Sequence, residues 1–460
     1  MPRTQNGTAA APSAPTLSLT TILLYNLAGF AFNLYDTVLY AWLPYFYAPP
    51  ADSDTTAYVS IGIFGMILAG GRILDAVSDP LVGYWSDNTH SRWGRRKPFI
   101  CVSGPILFLC FVLVWLPPVS GVSALNAAWL GIVLLFYYWA YTGLLIPWLA
   151  ALPEMSPENT VRMKIVSIGI VIGITGALIG GGLSGLLIER FNPFIMAMVL
   201  GIPAFLAGEL TLLGIRDTYV PPEQSRNPGG KKGVLSTLRT VFADTQVLSF
   251  AGMIMFVQIT YQLMLMNVPY LTTLVLKQKE SVASILMGEI ILLIALSTPF
   301  WYWLLKQYPK RRIMRWIIGL MALGFLAAFF IGRIPLASPL DNPLIQAIVI
   351  MPLAAIPMGG MFTASLGLIA DLTDYGELKD GTRTEAMYFG IYGIVRKTGW
   401  AFCSLILTTA FSILGYSAEN PFGVRAIWLL CGVCCIIGLL LFIPYRIGDS
   451  KDETRQIMKL

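Results

Sequence analysis

The feature that most constrains this chain is a recurrence of apolar runs about twenty residues long, the length an α-helix needs to cross ~30 Å of hydrocarbon. Twelve such runs can be drawn, over residues 18–47, 58–85, 98–118, 124–153, 163–188, 193–215, 244–271, 281–306, 312–335, 342–371, 386–415 and 423–446. The charged share, 12%, is about half that of a soluble domain and leaves too little polar surface to face water. The expected fold is therefore all-α and integral to a membrane. The first, fourth and tenth runs exceed a straight span, which predicts tilt or extension past the bilayer.

Charge asymmetry orients the bundle. With both termini on one side, the loops and run ends of that side carry 23 lysines and arginines and those of the opposite side 5. The positive-inside rule then predicts a multi-pass protein of the cell (inner) membrane with both termini cytoplasmic. The longest polar stretch, 216–243, lies near the middle and contains Pro221, Pro222, Pro228, Gly229 and Gly230, a flexible-linker composition. The expected organisation is a disordered tail over 1–16 with no cleavable signal peptide, an N-terminal six-helix lobe over 17–215, a cytoplasmic linker over 216–243, a C-terminal six-helix lobe over 244–446, and a cytoplasmic tail over 447–460. Basic loops at Ser91–Pro98 and Lys306–Ile313 occupy corresponding positions of the two halves. Two parallel six-helix repeats are the architecture of major-facilitator carriers.

A charge at mid-bilayer costs at least ~2.5–3.5 kcal/mol, so each one requires a reason. In the second run Arg72, Asp75 and Asp79 fall on one stripe at about 100° per residue. Two carboxylates one turn apart repel unless a cation or proton accompanies them, and Arg72 offsets only one. The deficit suits a monovalent cation or an exchangeable proton, against the alternative of a purely structural ion pair. In the first run Gly29, Asn33, Asp36 and Tyr40 share a face suited to hydrogen-bonding a hydroxylated solute or to pairing with a basic residue. Lys397, near the middle of the eleventh run, is the natural counter-charge to the acidic cluster. Its neighbour Arg396 points about 100° away, towards interlobe packing or snorkelling. Glu289 has no partner evident in sequence.

Catalysis lacks the necessary groups. The only histidine, His90, lies in a loop, and Cys101, Cys110, Cys403, Cys431, Cys434 and Cys435 all sit in apolar stretches. The Cys431, Cys434 and Cys435 cluster lacks partner ligands for zinc, so these read as packing residues with no metal beyond a coupling sodium at Asp75 and Asp79. No enzyme, no cofactor and no nucleic-acid partner is expected.

The string from Arg72 through Asp75 and Asp79 to Gly83, followed by Ser91–Pro98, resembles the glycoside–pentoside–hexuronide:cation symporters. Ala370–Gly381, Arg383, Glu385 and Val395–Gly399 extend the resemblance over the second half. The resemblance implies that Asp75 and Asp79 are cation-site carboxylates, with Arg72 and Ser78 beside them, Thr142 as a hydroxyl ligand and Lys397 as the residue linking the lobes. Solute contacts are expected from Asn33, Asp36, Tyr40, Trp148, Tyr392 and Trp400. Departures fall on the solute side: Leu145 and Ile170 stand where the family's best-known member has a sugar-binding aspartate and arginine. Asp87 with Arg92, Arg95, Arg96 and Lys97 reads as a cytoplasmic gate that holds the outward-open state closed underneath. The resulting expectation is a functional monomer surrounded by membrane lipid. It would be a Na⁺- or H⁺-coupled symporter of a small organic solute, a sugar or glycoside. An amphiphile such as a lysolipid, uncoupled uniport, and a sensor on a carrier scaffold are the alternatives.

Overall fold

The computed structural model describes residues 17–53, 55–156, 158–215, 244–333, 335, 338, 339, 341–380 and 385–458. The expected tail 1–16 and linker 216–243 lie outside the described residues. All described elements are helical: α1 (Leu19–Tyr47), α2 (Ile61–Asn88), α3 (Lys97–Leu113), α4 (Ala124–Met155), α5 (Asn159–Arg190), α6 (Pro193–Gly214), α7 (Thr245–Tyr270, continued by one π turn), α8 (Glu280–Gln307), α9 (Lys310–Ala328), α10 (Pro343–Asp380), α11 (Glu385–Leu414), α12 (Phe422–Leu441) and a short α13 (Lys451–Met458).

Each apolar run corresponds to one helix, and the shifted ends have local causes. α3 stops at Leu113, just before Trp115-Leu-Pro-Pro, where proline removes the backbone donor a helix needs. α10 continues nine residues past 371 because Leu372 and Tyr375 stay buried while Glu377 and Lys379 face outward. Hydropathy marks the end of the membrane there, not the end of the helix. Among the described residues ten helices are long and apolar enough to cross a membrane, and α3 is a shorter apolar helix. α9 falls outside that set because Lys310, Arg311, Arg312 and Arg315 crowd its first turns.

The two lobes repeat one packing scheme. α1 packs on α5 and α6, α2 on α4, and α3 on α4 and α6; six helices later, α7 packs on α11 and α12, α8 on α10, and α9 on α10 and α12. Across the lobes α2 meets α11, α5 meets α8, and α1 meets α7. Glycines set the closeness of α5. A Cβ at Gly176 would lie 2.2 Å from the Phe30 carbonyl oxygen of α1, and one at Gly185 would lie 2.3 Å from the Glu280 carbonyl oxygen of α8. Small residues of this kind let helix backbones approach in lipid, where apolar burial alone gives no preference for protein over tail.

The lobes are pinned at the face opposite the basic loops. There Tyr270 donates to the Ala48 carbonyl (2.7 Å), Tyr45 to Glu280 (3.2 Å), and the Ala418 amide to Asp52 (2.7 Å), while Lys279 pairs with Glu189 (3.2 Å). On the basic face the ion pairs Arg95–Glu154, Arg96–Asp87, Lys310–Asp371, Lys379–Asp244 and Lys451–Glu377 each join residues of a single lobe.

Candidate functional site

The sites where polar side chains interrupt the apolar helices converge midway along the lobe boundary. On α2, Arg72 Nη1 donates to Asp75 Oδ2 at 3.0 Å, with Arg72 and Asp75 both fully buried. From α11, Lys397 Nζ lies 3.0 Å from Asp75 Oδ1 and 2.7 Å from both oxygens of Asp79. Thr142 Oγ1 of α4 sits within 2.9 Å of Asp75 Oδ1 and 3.2 Å of Asp79 Oδ1, and Ser78 donates to Thr142 at 3.0 Å. One hydroxyl proton cannot serve both carboxylates, so Thr142 is a shared ligand position. Arg72 Nη2 also faces Asp36 Oδ1 of α1 at 3.6 Å, and its guanidinium is boxed by the rings of Tyr40, Tyr138 and Trp400 at 4.5–5.0 Å. Asp36, Asp75 and Asp79 therefore share two cations, Arg72 and Lys397.

Asp36 stands at the edge of a cavity of about 320 Å³ between the lobes, within the range of small-molecule sites. Asn33, Asp36, Thr37, Tyr40 and Trp148 line its N-lobe wall, and Gln258, Tyr261, Gln262, Arg396 and Trp400 line its C-lobe wall. Tyr141 donates to Asp36 Oδ2 at 2.7 Å. Trp148 is locked in place: its indole N–H donates to the Tyr25 carbonyl at 2.8 Å, and Tyr25 donates back to the Trp148 carbonyl at 2.9 Å. Five buried polar atoms of the lining have no hydrogen-bonding partner within the protein, namely Asp36 Oδ1, Tyr40 Oη, Gln262 Nε2, Arg396 Nε and Trp400 Nε1. Leaving each unsatisfied costs about 1–3 kcal/mol, so the cavity wall favours a solute rich in donors and acceptors.

A model of the family described as MFS/sugar transport protein matches residues 24–449. The chain belongs to that family. It is a membrane transporter of the glycoside–pentoside–hexuronide:cation symporter-like group, not an enzyme. Relatives of this family member include the sodium-dependent lysophosphatidylcholine symporter 1 of Xenopus tropicalis, 22% identical over 84% of this chain and 81% of that one. Another is the isoprimeverose transporter of Lactiplantibacillus pentosus, 23% identical over 88% and 82%. A third is the lactose permease of Lactobacillus delbrueckii subsp. bulgaricus, 26% identical over 78% and 58%. Among solved structures the D-xylose-proton symporter shares the fold at TM-score 0.68 and 14% identity, covering 94% of this chain and 99% of that one.

The transporter's remaining sequence-predicted positions fall as follows. Tyr392 is outside the cavity lining; it stacks 5.8 Å under Arg396 and lies 3.5 Å from Gln258. Arg396 itself lines the cavity, its guanidinium 4.8 Å over Trp400. α11 is enclosed by protein on two sides, so the side chain 100° from Lys397 meets the cavity where the sequence suggested packing or snorkelling. Glu289 shares the stripe of α8 on which Ile285, Leu292 and Leu296 are exposed. The six cysteines are free, and Cys431 and Cys435 are fully buried in the core.

The basic loop forms a compact cluster within the N-lobe. Arg96 pairs with Asp87 (2.6 Å) and Glu154 (3.0 Å) and donates to Ser86 (2.7 Å), while Arg95 pairs with Glu154 at 3.0 Å. Arg92 lies 6.0 Å over Trp93, and Lys97 begins α3. Sequence reasoning missed Tyr138, Tyr141, Gln258 and Gln262. Aromatic and amide side chains in an almost uniformly apolar helix reveal their facing only once the helix rotation is known.

Proposed function

We propose that this transporter is a cation-coupled symporter of a small polyhydroxylated solute, a sugar or glycoside, working by alternating access as a monomer. It lies in the cell (inner) membrane with the basic face and both termini cytoplasmic. The observation that carries the solute reading is the set of five polar atoms on the cavity wall that lack a hydrogen-bond partner within the protein. Sugar hydroxyls both donate and accept, and the ring of Trp148 in the same wall offers an apolar surface to a pyranose face.

Coupling follows from a chain of shared ion pairs that runs Lys397–Asp79/Asp75–Arg72–Asp36 into the solute cavity. Na⁺ or H⁺ at Asp75, Asp79, Thr142 and Ser78 competes with the Lys397 ammonium for the same oxygens. A pair at ~4 Å is worth on the order of 4 kcal/mol at an effective dielectric of about 20, before desolvation is subtracted. Cation entry releases the interlobe contact and frees Arg72 to strengthen its hold on Asp36. Solute hydroxyls on Asp36 then feel a different carboxylate with and without the ion, which is the differential interaction coupling requires. In the conformation described here the lobes are pinned at the far face, which we assign as the outer gate, and Lys397 occupies the cation's place; this corresponds to an inward-facing state after release.

Thermal-shift measurements on the purified protein test this reading. A ligand that binds the folded state stabilises it by RT ln(1 + [L]/Kd). Stabilisation by glycosides that grows with sodium or with lowered pH supports the proposal. Stabilisation by lysophosphatidylcholine alone would transfer the assignment to the amphiphile carried by the relatives of that name.

A further inference from the structure

The basic face of the C-terminal lobe holds a second cavity, of about 300 Å³, between the start of α9 and the chain that follows α12. Arg311, Arg312, Arg315 and Arg446 line it together with Ile443 and Tyr445, and no acidic side chain contributes to the wall. Two carboxylates act on Arg311 from outside the wall: Glu453 of α13 at 3.7 Å, and Asp449, which accepts from the adjacent Lys310 amide at 3.1 Å. The other contacts go to backbone: Arg311 donates to the Arg446 carbonyl (3.2 Å) and Arg315 to the Ile443 carbonyl (3.1 Å). Arg315 Nε is buried without a partner. Among the described residues neither Arg312 nor Arg446 forms an ion pair.

Membrane topology requires positive charge on this face, but charges spread over the loops satisfy it. It does not require four guanidinium groups to converge on one hollow against their mutual repulsion. Such a fork of planar donors matches the oxygens of a phosphate. The surroundings indicate where that phosphate comes from. On α9 Arg312, Trp316, Leu320 and Leu323 recur on one helix face, and the last three are exposed, as are Leu440 on α12 and Ile443 of the cavity wall. A free anion would use only the charged half of this surface, whereas a lipid would seat its headgroup among the arginines and lay its chains along the apolar stripe.

We propose that this cavity is a binding site for the phosphate of an anionic membrane lipid, gripped by Arg312, Arg315 and Arg446. The bound headgroup would tie the start of α9 to the end of α12, and through Arg311 and Glu453 to α13.

The test uses the full-length transporter in nanodiscs of phosphatidylcholine doped with phosphatidylglycerol, with retained lipid counted by native mass spectrometry. Wild type should retain phosphatidylglycerol in preference to phosphatidylcholine. The double variant Arg312→Gln/Arg446→Gln should weaken that retention about thirtyfold, the factor two arginines contribute on an anionic leaflet. Lys164→Gln, which removes one charge on the same face and so controls for the single variant Arg312→Gln, should leave it unchanged. The single variant Arg312→Gln, on an exposed side chain with no internal partner, is carried alongside and should show an intermediate loss. Retention unaltered in the double variant overturns the proposal. Displacement of the lipid by millimolar inorganic phosphate would also overturn it, in favour of a site for a free anion.

Discussion

Lys397 on α11 reaches across the lobe boundary to Asp79 on α2, its Nζ 2.7 Å from each carboxylate oxygen. Asp75 lies on the same ammonium at 3.0 Å but also takes Arg72, so the two carboxylates are not equivalent. Asp75 is fully buried between two cations, whereas the Asp79 side chain is 26% exposed. Removing one partner from a buried pair costs about 3–5 kcal/mol, and less where water can substitute. Asp75→Asn should therefore lower the melting temperature more than Asp79→Asn. Equal loss in the two variants would contradict the inequivalence.

Lys397→Met separates a coupling lysine from a structural one. If the ammonium competes with the cation, the ion's effect on solute affinity shrinks towards none in the variant. Titration of solute with and without sodium reads this directly. Unchanged ion dependence with only a lowered melting temperature would make the lysine structural.

The two halves of this cluster differed in how visible they were in the sequence. Arg72, Asp75, Asp79 and Lys397 stood out because a charge in an apolar run demands a partner, and the 3.6-residue repeat put three of them on one stripe. The twelve spans were legible for the same reason of length and hydropathy. For Arg396 the helical repeat gives a direction relative to Lys397, but not the wall that the side chain meets, which depends on how α11 packs. Tyr138 and Tyr141 give no signal, since α4 is apolar on every side and its rotation about its axis is set by packing against α2 and α3 and by its hydrogen bonds to α1. Hydropathy ends the tenth run at 371, and the last turns of α10 do not show in it because the helix outlasts the apolar stretch.

Arg396→Ala tests the solute wall without touching the cation ligands. A hydrogen bond to a charged group contributes about 1.5–3 kcal/mol, so solute affinity should fall about tenfold to a hundredfold while sodium-induced stabilisation persists. Loss of both responses together would place Arg396 in the ion cluster instead.

The basic loop makes a graded prediction. Arg96 is buried with Asp87, Glu154 and Ser86 around it, while the Arg95 side chain is 27% exposed with Glu154 as its ion-pair partner. Arg96→Ala should accelerate labelling of cysteines introduced along the inner half of α4 more than Arg95→Ala does. Equal, wild-type labelling rates in both would reduce the loop to a topology signal.

Asp244 at the start of α7 gives a pH signature at the basic face. Burial alone would push its carboxyl up. Hydrogen bonds from Lys379 (2.5 Å), the Gln246 amide (2.8 Å) and Tyr375 (2.9 Å) outweigh burial and hold it below the ordinary value. A depressed folded-state pKa means the stabilisation is complete above the unfolded value, near pH 4, and is lost as pH falls through the folded one. Asp244→Asn should be less stable than wild type by about 1–2 kcal/mol at neutral pH, and the gap should close on acidification below about pH 4. Melting curves at both ends of that range check the sign.

In the proposed mechanism the interlobe cavity moves its solute only in step with a cation at Asp75 and Asp79. Its most direct test is accumulation in proteoliposomes of whichever glycoside stabilises the protein, with an inward sodium gradient, an inward proton gradient, or neither. Wild type should accumulate it above equilibrium under one of the two gradients and not without a gradient, and Asp79→Asn should not accumulate it under any condition. Equilibration at the same rate with and without gradients, or concentrative uptake by Asp79→Asn, would contradict it.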